Sequence, residues 1–412
     1  MLASKTGTRK SWVTFLYVLL ALLCFYPYEF YSVYFLFLPD QVYLTTIIFL
    51  VITSFILFVN SSRLRLPKTL FFILVIQFLG YFLAGLVHGS IFGAMDNLLT
   101  MILAFLLVLL IERTIGMEDF FRKYNKWIFL MALLGIIAFF LVSLFGFQPF
   151  TVVQDRIGGE DGKNLYNYIL TFTKSNESMI GLIRYAGFFD EPGAMGYWGM
   201  YALVINQLFI KNRRIELFLI ICLLFTLSLG YYVQVLAYLF LFHFNFKKIG
   251  HSLLLFAGIT VVLIGISRTR GTENDALYER TFGRIESIQE ARDGIGDFAV
   301  DDREAYTEAA LNEFKANPFF GTDRKDIAVG NNVYETLALY GLIGSIFILF
   351  PFLLLLFWSY KYKDWTLFKA LIVIILGFTH RPFHASLLYF FIIYCIIVMY
   401  LDSKREHSYI GA

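Results

Sequence analysis

The sequence predicts an all-α integral membrane protein, a polytopic bundle of about twelve transmembrane helices with two large external loops. Three observations predict it. Hydrophobic residues make up 58% of the 412 residues and charged residues 16%, whereas soluble domains have about 45–50% and about 25%. Apolar runs near the ~20 residues that cross a bilayer recur along the chain. The long polar sequence is confined to positions 148–191 and 268–330.

Composition and motif searches exclude several classes of protein. The net charge of +3 is too small to indicate a nucleic-acid partner. Cys24, Cys222 and Cys395 each lie inside an apolar run, which favours buried packing residues over disulfides or metal ligands. The chain has no Walker loop, dinucleotide fingerprint, HExxH motif or nucleophile elbow. Its histidines lack metal-ligand spacing, so we expect no metal and no cofactor.

The predicted spans are apolar runs bounded by polar or turn-forming residues. The seventh and eighth, and the eleventh and twelfth, are short or closely abutting. Each of those pairs can instead form a re-entrant hairpin, which would reduce the count to about ten. The twelve runs are 12–27, 42–60, 69–87, 92–111, 127–147, 192–210, 215–229, 231–246, 251–267, 332–358, 365–379 and 384–401.

The distribution of Lys and Arg predicts the orientation. Alternate short connections are basic, whereas the turns near 27–41, 88–91 and 229–231 contain no Lys or Arg. The positive-inside rule therefore places both termini in the cytoplasm and both long polar stretches outside. We expect a single membrane domain over 1–412, with its first apolar segment retained in the membrane.

The stretch 268–330 contains one predicted surface helix. Tyr306, Ala310 and Phe314 recur at the i, i+4, i+8 spacing of one helical face, over a segment that runs from Asp301 to Phe314. Asn317 and Pro318 are expected to end it. Such a helix would lie on the membrane surface or cap a cavity.

Arginines in and beside the two polar stretches suit anion binding, because a guanidinium offers a planar fork of donors to phosphate oxygens. Arg280 and Arg284 are four residues apart and would share one face of a helix. The alternative is that most of these arginines form exposed ion pairs, since 268–330 contains more acidic than basic residues.

Arg184 and Arg381 favour function over surface pairing. Arg184 stands shortly before Asp190, Glu191 and Pro192, and Pro192 suits the first position of the sixth span. Glycines in that span would let a neighbouring helix pack closely; they are Gly193, Gly196 and Gly199. Arg381 follows His380 between two apolar runs, and ionisable groups at membrane depth usually face a polar cavity.

With these motifs the chain resembles the bacterial O-antigen polymerase (Wzy-type) family, which shares its architecture with the O-antigen ligases. The corner from Arg184 to Gly193 is similar to the family's Arg-x-x-Gly-x-x-x-Glu-Pro motif. Two further segments are similar to the large external loop and its re-entry into the membrane, and Thr226-Leu227-Ser228 is weakly similar to a Thr-x-Ser motif. Those two segments are Arg303 through Gly321, with Asn317-Pro318-Phe319-Phe320-Gly321 as a turn, and Asn331-Asn332-Val333-Tyr334-Glu335 through Gly344.

The resemblance implies a glycosyltransferase that joins undecaprenyl-diphosphate-linked repeat units into a surface polysaccharide, whether O-antigen, capsule or exopolysaccharide. It implies a chain-length regulator and a flippase as partners. Implied diphosphate ligands are Arg184, Arg303 and Arg381, beside Arg280 and Arg284; implied substrate-binding residues are Asn331, Asn332, Tyr306 and Tyr334.

The chain departs from the family at the expected general base. Family members often begin the third motif with His-Asn, whereas Asn331 stands here, and an amide does not accept a proton usefully. The candidate bases are Glu191, which we favour, Asp190, Glu335 and His380.

Two other classes remain open at this stage. An O-antigen-type ligase would use the same fold with a different acceptor, and Asn331 leans against it. A polysaccharide or lipid transporter would predict charges within the spans, where Asp96 and Gln234 are the best candidates, and it leaves the long polar stretches without a purpose.

Overall fold

The computed structural model shows a mostly helical protein, with helices accounting for 82% of the residues that it describes. Those residues are 68–89, 91–114, 116–145, 147–154, 164–169, 171–174, 184–187, 189, 192–244, 302–323, 333–378 and 387–410.

Contacts divide the chain into two compact units, which are described in turn. The first comprises 1–125, 307–364 and 381–412, and the second comprises 126–306 and 365–380. The helices are α1 (Lys68–Val87), α2 (Ile91–Thr114), α3 (Met117–Phe145), α4 (Pro192–Ile205), α5 (Arg213–Leu224), α6 (Leu229–His243), α7 (Asp302–Ala316), α8 (Val333–Ile348), α9 (Phe350–Lys361), α10 (Trp365–Phe378) and α11 (Leu387–Ile410). The strands are β1 (Thr151–Gln154), β2 (Asn164–Asn167) and β3 (Phe172–Lys174).

In the first unit, α1 packs against α2 and α8, and α2 packs against α11. Gly80 lets α8 approach closely, since a Cβ there would lie 2.6 Å from the Cβ of Phe347. The buried Gln77 side chain of α1 joins two other helices. It donates to the Ile348 carbonyl at 2.9 Å and accepts from the Tyr394 hydroxyl at 2.7 Å. Small residues and buried amides are typical of contacts between apolar helices.

Helix α8 is broken at Gly341, and a turn from the preceding chain fills the break. Gly341 has φ 61° and ψ −173°, a conformation essentially restricted to glycine. The break frees the N–H groups of Leu342 and Ile343, which donate to the Pro318 and Phe319 carbonyls at 2.8 and 3.1 Å. The Thr322 N–H in turn donates to the Ala338 carbonyl at 2.8 Å. The turn and the helix are therefore one hydrogen-bonded assembly.

Helix α7 leads into this turn and packs on α8. Ala310 and Ala338 are buried against each other, with Phe314 and Tyr334 packed around them. Gly321 completes the contact with φ 76°, and a Cβ there would collide with the Ala338 and Leu339 backbone. The predicted helical face of Ala310 and Phe314 is thus the face that packs on α8.

In the second unit, α4 is buried along its whole length and is surrounded by α5, α6 and α10. A π-helical turn, Asn206–Ile210, extends it to Lys211, which has φ 56°. Together the two segments have a length of about 28 Å, matching the predicted span 192–210. The Asn206 side chain bonds to the backbone N–H and carbonyl of Asn212 across this turn, and the Asn212 side chain caps α5.

A three-stranded antiparallel sheet lies in the same unit, in the order β1-β2-β3. Val152 pairs with Tyr166, and Leu165 with Lys174. These strands were not predicted from the sequence, where 148–191 was expected to be a loop in an all-α protein. They are short, and their pairing partners are decided by chain reversals that helical periodicity does not signal.

Within the described part of the chain, two helices have the length and apolarity to cross a membrane: Lys68–Val87 and Met117–Val142. The bent pair Tyr334–Ile348 and Phe350–Lys361, with an angle of 43°, would make a third if it forms one span. A helix lies at each predicted span that falls among the described residues. The predicted spans 12–27, 42–60 and 251–267 lie outside them.

The contact between turn and broken helix predicts the effect of adding one methyl group. We expect Gly341→Ala to lower the free energy of unfolding by about 2–5 kcal/mol, because it adds a collision with Phe319 to backbone strain. Gly116→Ala is the matched control: its φ is 85° with nothing within 4 Å of the added Cβ, so only about 1–2 kcal/mol should be lost. Thermal unfolding in lipid nanodiscs measures both. Equal losses would show that the turn does not press on Gly341.

Candidate functional site

Helices α5 and α6 form a hairpin. They have 12 and 15 residues, about 18 and about 22 Å. The turn that joins them, Phe225–Ser228, contains Leu227 with φ 50°, unusual for a residue that is not glycine. At the open end, the buried Glu216 carboxylate accepts hydrogen bonds from the Tyr238 hydroxyl and from His243 Nε2, the latter at 2.8 Å. The two helices are thus joined at both ends.

Hydroxyl groups add hydrogen bonds to the last carbonyls of α5, which also accept from backbone N–H groups of the turn at 3.1 Å. The Tyr185 hydroxyl donates to the Cys222 carbonyl at 2.6 Å, and the Tyr232 hydroxyl donates to the Leu224 carbonyl at 2.8 Å. Thr226 Oγ1 donates to the Leu223 carbonyl at 2.7 Å, and Tyr231 reaches Ile220 at 3.3 Å. These hydrogen bonds therefore hold the backbone conformation at the apex of the hairpin.

Tyr185 connects this apex to α3. Its ring lies against Gly135, where an added Cβ would collide with it. The residue is fully buried, and burial raises the pKa of its phenol well above the usual value. The hydroxyl therefore stays protonated and donates to the Cys222 carbonyl. Tyr185 is thus wedged between α3 and the end of α5.

Arg184 is positioned by the same segment. Tyr185 forms an antiparallel bridge with Thr173. The Ala186 N–H donates to the Phe172 carbonyl, and the Phe172 N–H donates to the Gly187 carbonyl, both at 2.8 Å. The half-buried Arg184 side chain donates from Nε to the Thr226 carbonyl at 3.3 Å. The positive charge of Arg184 also interacts electrostatically with the Tyr232 side chain, in the first turn of α6. The sheet and the wedge thus hold one guanidinium over the hairpin apex.

The first turn of α6 adds positive potential at this point. Helix N-termini carry a partial positive charge and unbonded N–H groups. Ser228, at the N-cap position, is buried and makes no side-chain capping bond, and the first turn contains no acidic residue. The Arg184 side chain is bonded at the apex where this helix begins, and a guanidinium and a helix N-terminus both favour a negatively charged ligand.

Helix α4 presses its glycines against the hairpin. A Cβ on Gly196 would lie 2.9 Å from the Tyr231 Cβ, and one on Gly199 would collide with the Leu223 side chain. The sequence analysis expected glycines in this span to admit a neighbouring helix, and α5 and α6 are the neighbours. This packing sets the hairpin apex beside the first two turns of α4.

Most of the other predicted site residues lie outside the described part of the structure: Asp190, Glu191, Arg280, Arg284, Asn331, Asn332, His380 and Arg381. Arg303 and Tyr306 lie in the first turns of α7, and the structure describes the helix there but not these two side chains. Tyr334 is half-buried beside Ala310 and Ala338. Glu335, in the first turn of α8, is buried.

Sequence reasoning missed the residues that position Arg184. Tyr185 follows it directly, but one tyrosine among 26 carries no signal by itself. Tyr231 and Tyr232 closely follow Thr226-Leu227-Ser228. The available clue was this cluster of threonine, serine and tyrosine hydroxyls around a helix break. Among the described residues, no group of three or more His, Cys, Asp or Glu could hold a metal ion.

The contact of the Tyr185 ring with Gly135 predicts that one substitution changes the stability in opposite directions with and without that ring. Alanine is a better helix former than glycine by about 1 kcal/mol, so Gly135→Ala should stabilise α3 if nothing opposes it. In the native chain we expect a net loss of about 1–2 kcal/mol, because the methyl group displaces the Tyr185 ring. In a Tyr185→Ala background the same change should be neutral or stabilising. Unfolding midpoints of the four variants give the coupling energy, and additive effects would contradict the wedge.

The chain matches no protein-family model and no curated protein.

Proposed function

We propose that this protein is an integral membrane glycosyltransferase that polymerises undecaprenyl-diphosphate-linked oligosaccharide repeat units into a surface polysaccharide. The support for a membrane location is the apolar surface of α1, where Phe71 and Phe72 are more than half exposed. Water would disfavour such a surface and lipid chains would cover it. In this proposal both termini are cytoplasmic and the stretches 148–191 and 268–330 face away from the cytoplasm.

The observation that carries the proposal is Arg184 held over the α5–α6 apex. A lipid diphosphate brings its charge to the edge of the hydrocarbon, where charged groups interact more strongly than in water. Arg184 and the first turn of α6 together offer a fixed positive site. Because these donors are already in place, little reorganisation is needed when charge develops on a leaving group.

The reaction needs that charge to be stabilised. A hydroxyl oxygen of the acceptor sugar attacks the anomeric carbon of the donor glycan. The bond from that carbon to the diphosphate oxygen breaks, and undecaprenyl diphosphate leaves with the bonding electrons. A base takes the hydroxyl proton and contributes about 10²–10⁴-fold. Glu191 is the proposed base, with Asp190 and His380 as the alternatives, since each can accept a proton.

Further arginines would share the diphosphate. We propose Arg303 and Arg381 beside Arg184, with Arg280 and Arg284 as additional ligands, because several guanidinium groups can divide the oxygens of one diphosphate. Asn331, Asn332, Tyr306 and Tyr334 would bind the glycan through amides and hydroxyls. A flippase would supply the lipid-linked unit, and a chain-length regulator would limit the product.

The central prediction concerns Arg184. We expect Arg184→Ala to reduce polymer formation by about 10²–10³-fold, because one donor to the developing charge is lost. Arg214→Ala is the matched control; Arg214 is an exposed arginine at the opposite end of α5 and should be neutral. The measurement is the ladder of lipid-linked glycans in a strain lacking the native gene, with the amount of each variant in the membrane determined by immunoblot.

Full-length polymer from Arg184→Ala at native protein level would reject the diphosphate site. Polymer that is made normally but never transferred to its final acceptor would instead indicate a ligase. A second substitution, Glu191→Gln, tests the base separately, and native turnover by that variant would remove Glu191 from the mechanism. Loss of lipid-linked substrate from the outer leaflet would indicate a transporter.

A further inference from the structure

A pocket of about 390 Å³ lies in the first unit, between the end of α1 and the turn that follows α7. Its volume is within the range of small-molecule sites, about 300–1,000 Å³. Side chains that line it include His88, Asn317, Phe319 and Thr322. His88 follows the last residue of α1, and the other three belong to the turn that fills the break in α8. The pocket is separate from the Arg184 site in the chain and in its chemistry.

The wall of this pocket is rigid. The turn is closed by the Gly321 N–H, which donates to the Asn317 carbonyl at 3.0 Å, and it is bonded to α8 on both sides of Gly341. Gly321 and Gly341 both have positive φ and leave no space for a side chain. A site built on such a backbone needs little ordering when a ligand binds.

The His88 ring has a defined hydrogen-bonding state. Its Nε2 lies 2.9 Å from the Phe320 carbonyl oxygen. A carbonyl oxygen only accepts, so Nε2 carries the hydrogen. In the neutral ring Nδ1 is then an acceptor. The half-buried ring therefore brings one acceptor to the pocket wall.

The other described residues that line the pocket are uncharged, and they include both polar and apolar side chains. Asn317 is exposed and supplies an amide with both donors and an acceptor. Phe319 is 61% exposed, so its ring is accessible to a ligand. Among the described residues that line the pocket, none is Lys, Arg, Asp or Glu. An uncharged ligand with hydroxyl groups on its edge and an apolar C–H face fits this set.

We propose that this pocket binds one sugar ring of the glycan substrate, with Phe319 against the ring face and Asn317 and His88 bonded to its hydroxyls. The assignment deepens the proposed polymerase function and rests on it for the identity of the glycan. The pocket recognises the sugar, and Arg184 binds the anion. The two properties can be tested independently.

The test is saturation-transfer NMR on the full-length protein in lipid nanodiscs, prepared without glycoside detergents because these would compete. The probes are the methyl glycosides of glucose, galactose, mannose, rhamnose and N-acetylglucosamine. We expect at least one probe to bind, and Asn317→Ala and Phe319→Ala each to weaken it by about threefold to tenfold. His88→Gln should also weaken it, since glutamine can keep the bond to Phe320 but lacks the Nδ1 acceptor.

Matched controls separate the pocket from general damage. Asn312→Ala removes an exposed amide from α7, and Phe357→Ala removes a ring that is 56% exposed on α9; neither residue lines the pocket, and both variants should bind like the native protein. Failure of every probe to bind, or equal binding by the pocket variants and controls, would overturn the proposal.

A further variant separates this proposal from the polymerase function. Arg184→Ala should retain glycoside binding, because Arg184 is not among the residues that line the pocket. Pocket-dependent binding in a protein whose Arg184→Ala variant still polymerises would support the sugar site and reject the diphosphate site. Loss of polymer in Arg184→Ala, in a protein that binds no glycoside, would support the diphosphate site and reject the sugar site.

Discussion

The constraint on which this structure depends is the satisfaction of backbone groups wherever an apolar helix is broken. An unpaired N–H or C=O away from water costs several kcal/mol. At Gly341 the freed N–H groups of Leu342 and Ile343 bond to carbonyls of the turn after α7. At the end of α5, the last carbonyls accept both from backbone N–H groups of the turn and from the hydroxyls of Tyr185, Thr226 and Tyr232. At each break a further segment of chain is bonded to the helix: the turn after α7 at Gly341, and the segment that contains Tyr185 at the end of α5.

These second segments carry the candidate functional groups. The strand-like segment that brings Tyr185 to α5 also carries Arg184, so the guanidinium is positioned by a structural requirement of the helix end. The turn that satisfies α8 also forms the wall of the sugar pocket, with Asn317 and Phe319 on it. The segments that are hydrogen-bonded to the helix breaks thus also carry the candidate binding side chains. Precise binding sites need side chains that are held by such a backbone.

Much of the helical content was predictable, because apolar runs of limited length leave few alternatives to helix. The helix from Asp302 to Ala316 followed from the spacing of Tyr306, Ala310 and Phe314. Pro192 was correctly predicted as the first residue of a helix. The sheet was not predicted, since β1–β3 are three or four residues long and so short a segment shows no clear alternation of apolar and polar residues. His88 has no local motif around it, and its place in a pocket depends on a turn more than 200 residues away.

Local sequence was enough to place the described apolar helices and to single out Arg184 shortly before the helix start at Pro192, because apolar runs and proline act locally on the backbone. The segments Asn317–Gly321 and Asn331–Gly344 were singled out by their similarity to the motifs of a known family. Only the tertiary structure decided that Asn317–Gly321 fills the break at Gly341, and that Tyr185 ties Arg184 to the α5–α6 apex. Those pairings are long-range hydrogen bonds and ring contacts, and no local pattern specifies which distant carbonyl a freed donor will reach.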